Sequence, residues 1–242
     1  MNHSPSERLI VALDFSDVDE ARKCVDELDG IVNFYKIGLE LFTAPSRDFL
    51  NELRERQCRI FLDLKMHDVD ETIRRAVANV ASLEVDFLTI HGNSATLQAA
   101  CSGKTNHRLR LLAVPLLSSW NEKDLQELFL VGPAEGFIPR FDTLDEYVFW
   151  RADQAIAQGC DGLIASGAYV GRLRERFGKN VLLVSPGIRP SGLSTDEHKR
   201  SLTPRKAIQD GADYIVVGRP IRDAMDRKAM AQRIIEEIDS AI

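Results

Sequence analysis

Eight short apolar runs recur along the chain, and longer stretches with helical periodicity separate them. Most of the runs are dense in Val, Ile, Leu and Phe, which is typical of strands covered on both faces in a parallel sheet. The candidate strands are Arg8–Asp14, Val32–Gly38, Arg59–Leu64, Asp86–His91, Leu111–Leu117, Asp161–Ala165, Val181–Ser185 and Asp213–Gly218. Strand–helix units in this number predict an α/β fold, a closed (β/α)8 barrel of the TIM type.

The intervening segments carry apolar residues at helical spacing, and the sequence contains no break that would divide it. We therefore expect a single domain over residues 1–242, with residues 1–7 as a flexible N-terminus. Two helices are predicted in the long segment after the fifth strand, at about 122–131 and 145–158, and the last helical pattern runs from near Ile221. Pro115 falls inside the fifth candidate strand, where it removes a ladder donor and predicts a bulge.

A doubly wound open sheet is the main alternative fold. It would need a glycine-rich phosphate loop after an early strand. The residues that follow the first candidate strand, Leu13 to Ser16, include no glycine. The closed barrel is therefore favoured.

Charge and cysteine usage restrict the possible partners and the compartment. A formal net charge of −6 argues against a general nucleic-acid binder. The apolar runs fall short of the roughly 18 residues that span a bilayer, so we expect no membrane partner. Four cysteines are scattered without a Cys-x-x-Cys pair, which favours reduced thiols in a cytoplasmic protein.

Charged residues follow the first three strands. Asp14, Lys36 and the pair Asp63 and Lys65 all fall near carboxyl ends, and Asp68 comes shortly after. Because these strand ends converge on one mouth of a barrel, we expect the side chains to lie together and to titrate as a coupled set. Such an array is expensive to desolvate unless it is tightly paired or serves function, so it is the candidate reaction centre.

A second signal lies near the end of the chain. Gly218 and Arg219 follow an apolar strand and precede a helical pattern, and Arg189 lies in the preceding strand's loop. Backbone N–H groups together with an arginine suit a phosphate group, and the loops after strands seven and eight are its usual place in this fold. We predict a phosphate site there.

These motifs resemble those of the orotidine 5′-phosphate decarboxylase family in its bacterial form. The resemblance rests on Asp-x-Lys-x-x-Asp at 63–68 with Asp14 and Lys36 before it, on Ser-Pro-Gly-Ile-Arg-Pro at 185–190, and on the stretch 211–221. It implies decarboxylation of orotidine 5′-monophosphate to UMP in de novo pyrimidine biosynthesis, without metal or cofactor.

The resemblance also implies roles for individual residues. Lys65 would protonate the C6 carbanion, and Asp63 would lie beside the departing carboxylate. Lys36 and Asp14 would complete the array and hold the ribose hydroxyls. Asp68 would reach into the neighbouring subunit's site, which makes a homodimer the expected unit. The remaining substrate-binding candidates are Thr72, Ser118, Arg189, His198, Gly218 and Arg219.

The sequence departs from the family pattern at three places. Asp70 and Glu71 stand where Pro-Asn is common, which adds negative charge near the shared site. His198 replaces a glutamine of the phosphate loop, although an imidazole can also donate to phosphate. Ser118 stands where threonine is usual. The members of the central array are all present.

Two other functions compete with this one. A metal-dependent sugar-phosphate decarboxylase or aldolase of the same superfamily would share Asp-x-Lys-x-x-Asp, but such members carry an acid at the position of Lys36, where a cation would repel Mg²⁺. A barrel that binds a nucleotide without catalysis is the other alternative. Asp63, Lys65 and Asp68 oppose it, whereas Asp70, Glu71 and His198 leave it open.

Overall fold

A computed structural model of the protein describes residues 3–45, 47–117, 123–124, 141, 143–192 and 202–242. The described strands are all parallel and pair in chain order, and the last pairs with the first, which closes an eight-stranded barrel. They are β1 (Leu9–Ala12), β2 (Phe34–Gly38), β3 (Arg59–Met66), β4 (Phe87–Ile90), β5 (Arg110–Ala113), β6 (Gly162–Ile164), β7 (Leu182–Ser185) and β8 (Tyr214–Val217). The predicted (β/α)8 barrel is confirmed, and the open sheet is excluded.

Helices follow the strands and cover the barrel. Those in the described residues are α1 (Val18–Glu27), α2 (Leu39–Thr43), α3 (Arg47–Glu55), α4 (Asp70–Ser82), α5 (Ser94–Gly103), α6 (Leu144–Ala157), α7 (Val170–Phe177), α8 (Pro204–Gln209), α9 (Arg219–Arg222) and α10 (Arg227–Asp239). The helix predicted at 145–158 corresponds to α6. The helix predicted at about 122–131 lies outside the described residues, apart from Lys123 and Asp124.

Local chemistry explains where several helices begin. The Asp17 carboxylate accepts a hydrogen bond from the Asp19 N–H and caps α1, and Asn93 and Thr143 cap α5 and α6 in the same way. The last helical pattern divides into α9 and α10, because Asp226 caps a new helix at its bond with the Ala229 N–H. The division leaves α9 as a separate four-residue helix beside the mouth of the barrel.

The apolar residues form two layers. Alternate strand residues such as Ile10, Phe34 and Phe61 fill the barrel interior, and their neighbours Leu9 and Tyr35 pack outward against the helices. A side-chain period of two gives both faces of each strand an apolar partner, which accounts for the continuous apolar runs. The core thereby holds the strand ends rigidly around one mouth.

The irregular position in the barrel differs from the predicted one. β5 ends at Ala113, so Pro115 lies beyond the strand and its missing N–H interrupts no ladder; the bulge predicted there was wrong. The register instead shifts between β3 and β4, between Leu62 and Met66. The barrel is therefore irregular beside Lys65, in the predicted reaction centre.

The N-terminus and the helices add two further facts. The flexibility of residues 1–7 stays a prediction; in the structure the His3 Nε2 atom lies 3.0 Å from the Tyr214 hydroxyl oxygen. In the part of the chain that the structure describes, every helix is too short or too polar to cross a bilayer.

Candidate active site

The mouth of the barrel brings four predicted residues together. The Lys36 Nζ atom lies 2.8 Å from the Asp14 Oδ1 atom and 3.7 Å from the Asp63 Oδ2 atom. The Lys65 Nζ atom lies 2.8 Å from the Asp63 Oδ1 atom. Carboxylates and ammonium groups therefore alternate in the order Asp14, Lys36, Asp63, Lys65. We call these four side chains the charged array.

The array is partly withdrawn from solvent. The Lys36 side chain is 10% exposed and that of Asp63 is 17% exposed, whereas Lys65 is 37% exposed. A buried ammonium is tolerated when it is paired, and Lys36 has a carboxylate on each side. Lys65 is thus the ammonium of the array that is more open to an incoming ligand.

Thr89 on β4 completes the array, and the sequence analysis missed it. Its hydroxyl donates to the Asp63 Oδ1 atom at 2.9 Å and accepts the Lys65 backbone N–H at 2.9 Å. Thr89 is fully buried. A threonine in a run such as Leu88–Ile90 is ordinary strand composition, so only the pairing of β3 with β4 reveals its contact.

The electrostatics keep Asp63 ionised. Burial would raise the pKa of Asp63, but the positive charges of Lys36 and Lys65, with hydrogen bonds from Lys65 and Thr89, outweigh it and hold the pKa below its usual value. Asp63 therefore presents a carboxylate at neutral pH, beside the Lys65 ammonium.

The Lys65 backbone adopts an unusual conformation. Its φ is +46°, in the left-handed region that non-glycine residues rarely enter. Such a conformation costs about 1–3 kcal/mol and persists where surrounding contacts impose it. Here it coincides with the register shift against β4 and with the hydrogen bond to Thr89. The irregularity thus falls at Lys65, whose side chain lines the cavity at the mouth.

Gly38 leaves room for the pair of Lys36 and Asp14. A Cβ atom there would lie 3.1 Å from the Lys36 Nζ atom and 3.3 Å from the Asp14 Oδ1 atom. Any larger residue would press on the 2.8 Å ion pair between them. The glycine that ends β2 is thus part of the site's construction.

A cavity of about 220 Å³ opens over the array. Its polar edge is formed by Lys36, Asp63, Lys65 and Ser166, and its other walls are mostly apolar. The apolar and proline side chains are Phe61, Val114, Leu116, Leu117, Ile164, Pro186 and Val216. A few convergent polar groups within apolar walls are typical of a small-molecule site.

Asp68 and Thr72 belong to the segment that follows Lys65 in the chain. Both are exposed, and the Asp68 carboxylate accepts a hydrogen bond from the Val69 N–H at 2.6 Å. Asp68 lies in the short connection between the end of β3 at Met66 and the start of α4 at Asp70. The structure therefore brings four of the five predicted charged residues together and leaves the fifth exposed to solvent.

The extra negative charge beyond the array is partly neutralised. Glu71 pairs with Arg74 at 2.7 Å and with Arg75 at 2.6 Å, both on α4. Hydrogen bonds from these two arginines lower the pKa of Glu71 to about 2. Asp70 is exposed at the start of the helix, where a carboxylate suits the helix dipole. Glu71 thus has cationic partners on α4, and Asp70 lies where the helix dipole favours a carboxylate.

The predicted phosphate residues lie at the β7 and β8 side of the mouth. The Arg189 backbone N–H donates to the Leu202 carbonyl at 2.9 Å, and its Nη1 donates to the Ile188 carbonyl at 2.9 Å. Gly218 precedes α9, and the exposed Arg219 begins it. A Cβ atom on Gly218 would lie 3.6 Å from the Asp14 Oδ2 atom, so this loop borders the array.

Ser118 and His198 lie outside the described residues.

Comparison with known proteins reveals similarity over almost the full length. A family model described as "Orotidine 5'-phosphate decarboxylase / HUMPS family" matches residues 7–234. Orotidine 5'-phosphate decarboxylase of Methylococcus capsulatus is 44% identical over 235 residues, which cover 96% of this chain and 92% of that protein. The protein of the same name from Nitrobacter winogradskyi is 41% identical over 236 residues, 98% of this chain and 94% of that protein.

A solved structure gives the same result at the level of the fold. The crystal structure of orotidine 5'-phosphate decarboxylase from Lactobacillus acidophilus superposes with a TM-score of 0.82 at 33% identity, covering 96% of this chain and 99% of that one.

Proposed function

The chain belongs to the orotidine 5′-phosphate decarboxylase / HUMPS family, and on that premise we propose that it converts orotidine 5′-monophosphate to UMP, a step of de novo pyrimidine biosynthesis, without a cofactor. The observation that carries the proposal is the charged array, in which Lys65 stands 2.8 Å from the ionised Asp63 at the edge of the cavity. This geometry supplies an ammonium where a carbanion would form.

The chemistry needs a strong local field and one proton. When the bond from C6 to the carboxylate breaks, CO₂ leaves and the electron pair stays on C6, where the ring delocalises it poorly. A preorganised ammonium stabilises that charge without reorganising as the bond breaks. Lys65 then transfers a proton to C6, which gives UMP and a neutral amine that solvent reprotonates.

Asp63 orients Lys65 and lies beside the departing carboxylate. Its low pKa keeps it charged, so its repulsion of a neighbouring carboxylate favours departure as CO₂. The same carboxylate holds the Lys65 ammonium in place. Asp14 and Lys36, at the far end of the array, would hold the ribose hydroxyls.

The phosphate would bind at the other side of the mouth. Arg189, Gly218 and Arg219 provide guanidinium and backbone donors there, and we extend the role to His198. Ser118 would contact the pyrimidine, which the apolar walls of the cavity suit. Remote binding energy of this kind aligns the reacting ring.

The functional unit in this proposal is a homodimer in which Asp68 enters the neighbouring subunit's site, with Thr72 at the end of the same segment. Exposed apolar side chains at this mouth support it: Val69 is 69% exposed and Leu39 is 57% exposed. Side chains of this kind, next to an outward-facing carboxylate, suit a surface that a second copy covers.

We assign the protein to the cytoplasm. All four cysteines are free thiols, which suits a reducing compartment, and a nucleotide substrate is found there. Nucleic acid and membrane are not expected as partners.

The geometry opposes a metal-dependent reaction. The Lys36 ammonium stands between the carboxylates of Asp14 and Asp63, in the place where a divalent cation would bind them, and it would repel that cation. A non-catalytic nucleotide binder would not need Lys65 held in a costly backbone conformation at the edge of the cavity.

The test is the loss of orotidine monophosphate absorbance with purified protein, with and without EDTA. We expect the same turnover in both conditions. Activity that EDTA abolishes would indicate the metal-dependent reaction, and binding without turnover would indicate the non-catalytic barrel.

A further inference from the structure

Arg222, at the end of α9, connects two parts of the mouth. Its Nη1 atom donates to the Asp14 backbone carbonyl at 2.9 Å. Its Nε and Nη2 atoms donate to the two carboxylate oxygens of Asp223 at 2.6 and 3.0 Å. The planar guanidinium is thus fixed by Asp223 with one edge directed at the loop after β1.

The contact falls where the sheet stops holding the chain. β1 ends at Ala12, and the Leu13 N–H still donates to the Lys36 carbonyl at 2.9 Å, so Asp14 is the next residue along the loop. The Asp14 carboxylate must nevertheless stay 2.8 Å from the Lys36 ammonium. A donor from outside the sheet that fixes the Asp14 carbonyl therefore also limits where its carboxylate can lie.

α9 carries the proposed phosphate residues at its other end. Gly218 and Arg219 begin the helix, and the Arg222 N–H donates to the Gly218 carbonyl at 2.9 Å. A helix of four residues is only about 6 Å long, so its two ends move together. One short rigid element therefore touches both the phosphate side and the charged array.

Arg227 reinforces the connection. Its Nε atom donates to the Arg222 carbonyl at 2.9 Å, and its guanidinium lies 5.8 Å from the centre of the Phe15 ring. An ion pair at 3.1 Å with Glu27 holds Arg227 itself. The end of α9 and the residue after Asp14 thus both contact the same side chain.

We propose that Arg222 is a positioning residue, which fixes the β1 loop to α9 so that phosphate anchoring at Arg219 and the orientation of Asp14 are coupled. The inference rests on the proposed function for its substrate. A phosphate that orders α9 would then also hold Asp14 at the ribose, which is how remote binding energy reaches the array.

The kinetic test compares two arginines with the same carboxylate geometry. Arg176 holds Asp153 through Nε and Nη2 at 2.7 and 2.6 Å on the outer surface, as Arg222 holds Asp223. We expect R222M to lower kcat/KM for orotidine monophosphate about tenfold, the effect of losing one charge-assisted hydrogen bond, and R176M to change it less than about twofold. Equal values for the two variants would overturn the proposal.

A double-mutant cycle separates positioning from general stability. In a D14N background R222M should cost less than about twofold, because the side chain that Arg222 positions no longer forms its ion pair. A full tenfold cost in both backgrounds would show that Arg222 acts by another route. If R222M folds poorly, R222K replaces it, and its lost bidentate contact should still give a measurable, smaller decrease.

Hydrogen exchange tests the connection without substrate. In R222M the peptide spanning residues 13–17 should exchange faster than in the parent, and in R176M it should not. Unchanged exchange in R222M overturns the proposal whatever the kinetics show. If the parent does not consume orotidine monophosphate, the proposed function fails, and the exchange result alone decides whether Arg222 holds the β1 loop.

Discussion

Both ends of the barrel hold carboxylates beside cations, but the two ends satisfy them differently. At the N-terminal end, Asp86, Asp161 and Asp213 precede β4, β6 and β8, and each accepts a backbone N–H from the preceding strand. The donors are Ile60 at 3.0 Å, Leu111 at 2.8 Å and Leu183 at 2.8 Å. These acids join neighbouring strands.

Asp63 at the C-terminal end is bound by side chains instead. Its carboxylate accepts from Lys65 and Thr89 and faces Lys36, and these groups line or border a cavity. The difference supports the proposal that Asp63 serves the reaction, whereas the N-terminal carboxylates stabilise the barrel. A matched pair of substitutions should therefore separate activity from stability.

Among the substitutions that test this contrast between the two ends, D63N is expected to have the largest effect. Removing the charge beside Lys65 should lower kcat by about 10²- to 10³-fold, because the field that orients the ammonium is lost. The melting temperature should fall less than in D161N, because D63N loses only the stability that the lowered pKa of Asp63 contributes. Steady-state kinetics and calorimetry on the same preparation check both, and a variant with near-parental kcat would contradict the assignment of Asp63 to the reaction.

R219A should have the next largest effect on activity. Loss of a guanidinium from the proposed phosphate site is expected to lower kcat/KM by about 100-fold, mainly through KM. Inorganic phosphate should inhibit the parent more strongly than the variant. An unchanged kcat/KM would rule out the role of Arg219.

D161N should lower the stability of the protein rather than its activity. Asp161 accepts hydrogen bonds from Lys104 at 2.8 Å, from Arg110 at 3.0 Å and from the Leu111 N–H. Its neutralisation should cost about 2 kcal/mol of unfolding free energy, a decrease of roughly 4–8 °C in Tm, with kcat within about twofold of the parent. Should D161N instead lower kcat as D63N does, the contrast between the two ends would be lost.

T89V is the subtlest change. It removes a hydrogen bond that both lowers the pKa of Asp63 and orients its carboxylate beside Lys65, so that pKa should rise and the less well-oriented pair should lower kcat about tenfold. Because Asp63 acts ionised, activity is lost as pH falls through its folded-state pKa, and the acid limb of the pH profile should move to higher pH. The stability that the lowered pKa contributes is present above the unfolded value and is lost on acidification; T89V should reduce it. A pH profile that matches the parent's would remove Thr89 from the site.

The sequence predicts the barrel well because each strand carries its own apolar signal. The eight candidate strands occur in order, and most differ from the observed ones by one to three residues at an end. The bulge predicted at Pro115 was wrong, because β5 ends at Ala113 and the proline lies beyond its hydrogen-bond ladder. The true irregularity at Lys65 left no signal, because it arises from the pairing of β3 with β4.

The residues of the site likewise divide into those that the sequence predicts and those that it does not. Asp14, Lys36, Asp63 and Lys65 are predictable because parallel strand ends converge. Thr89 and Arg222 are not, because their roles depend on contacts between elements that are distant in the chain. Asp68 is exposed in a single subunit, and the role proposed for it would depend on a second copy.

The central claim is that Lys65 delivers the proton, and its most direct test is CO₂ release from carboxyl-labelled orotidine monophosphate in EDTA. The parent and K65A are compared with K104A, a control that removes another lysine in a 2.8 Å ion pair, at the N-terminal end. We expect the parent and K104A to release CO₂ and form UMP at equal rates. K65A should release CO₂ more slowly by about 10³-fold or more. Release by K65A at the parental rate would contradict the account.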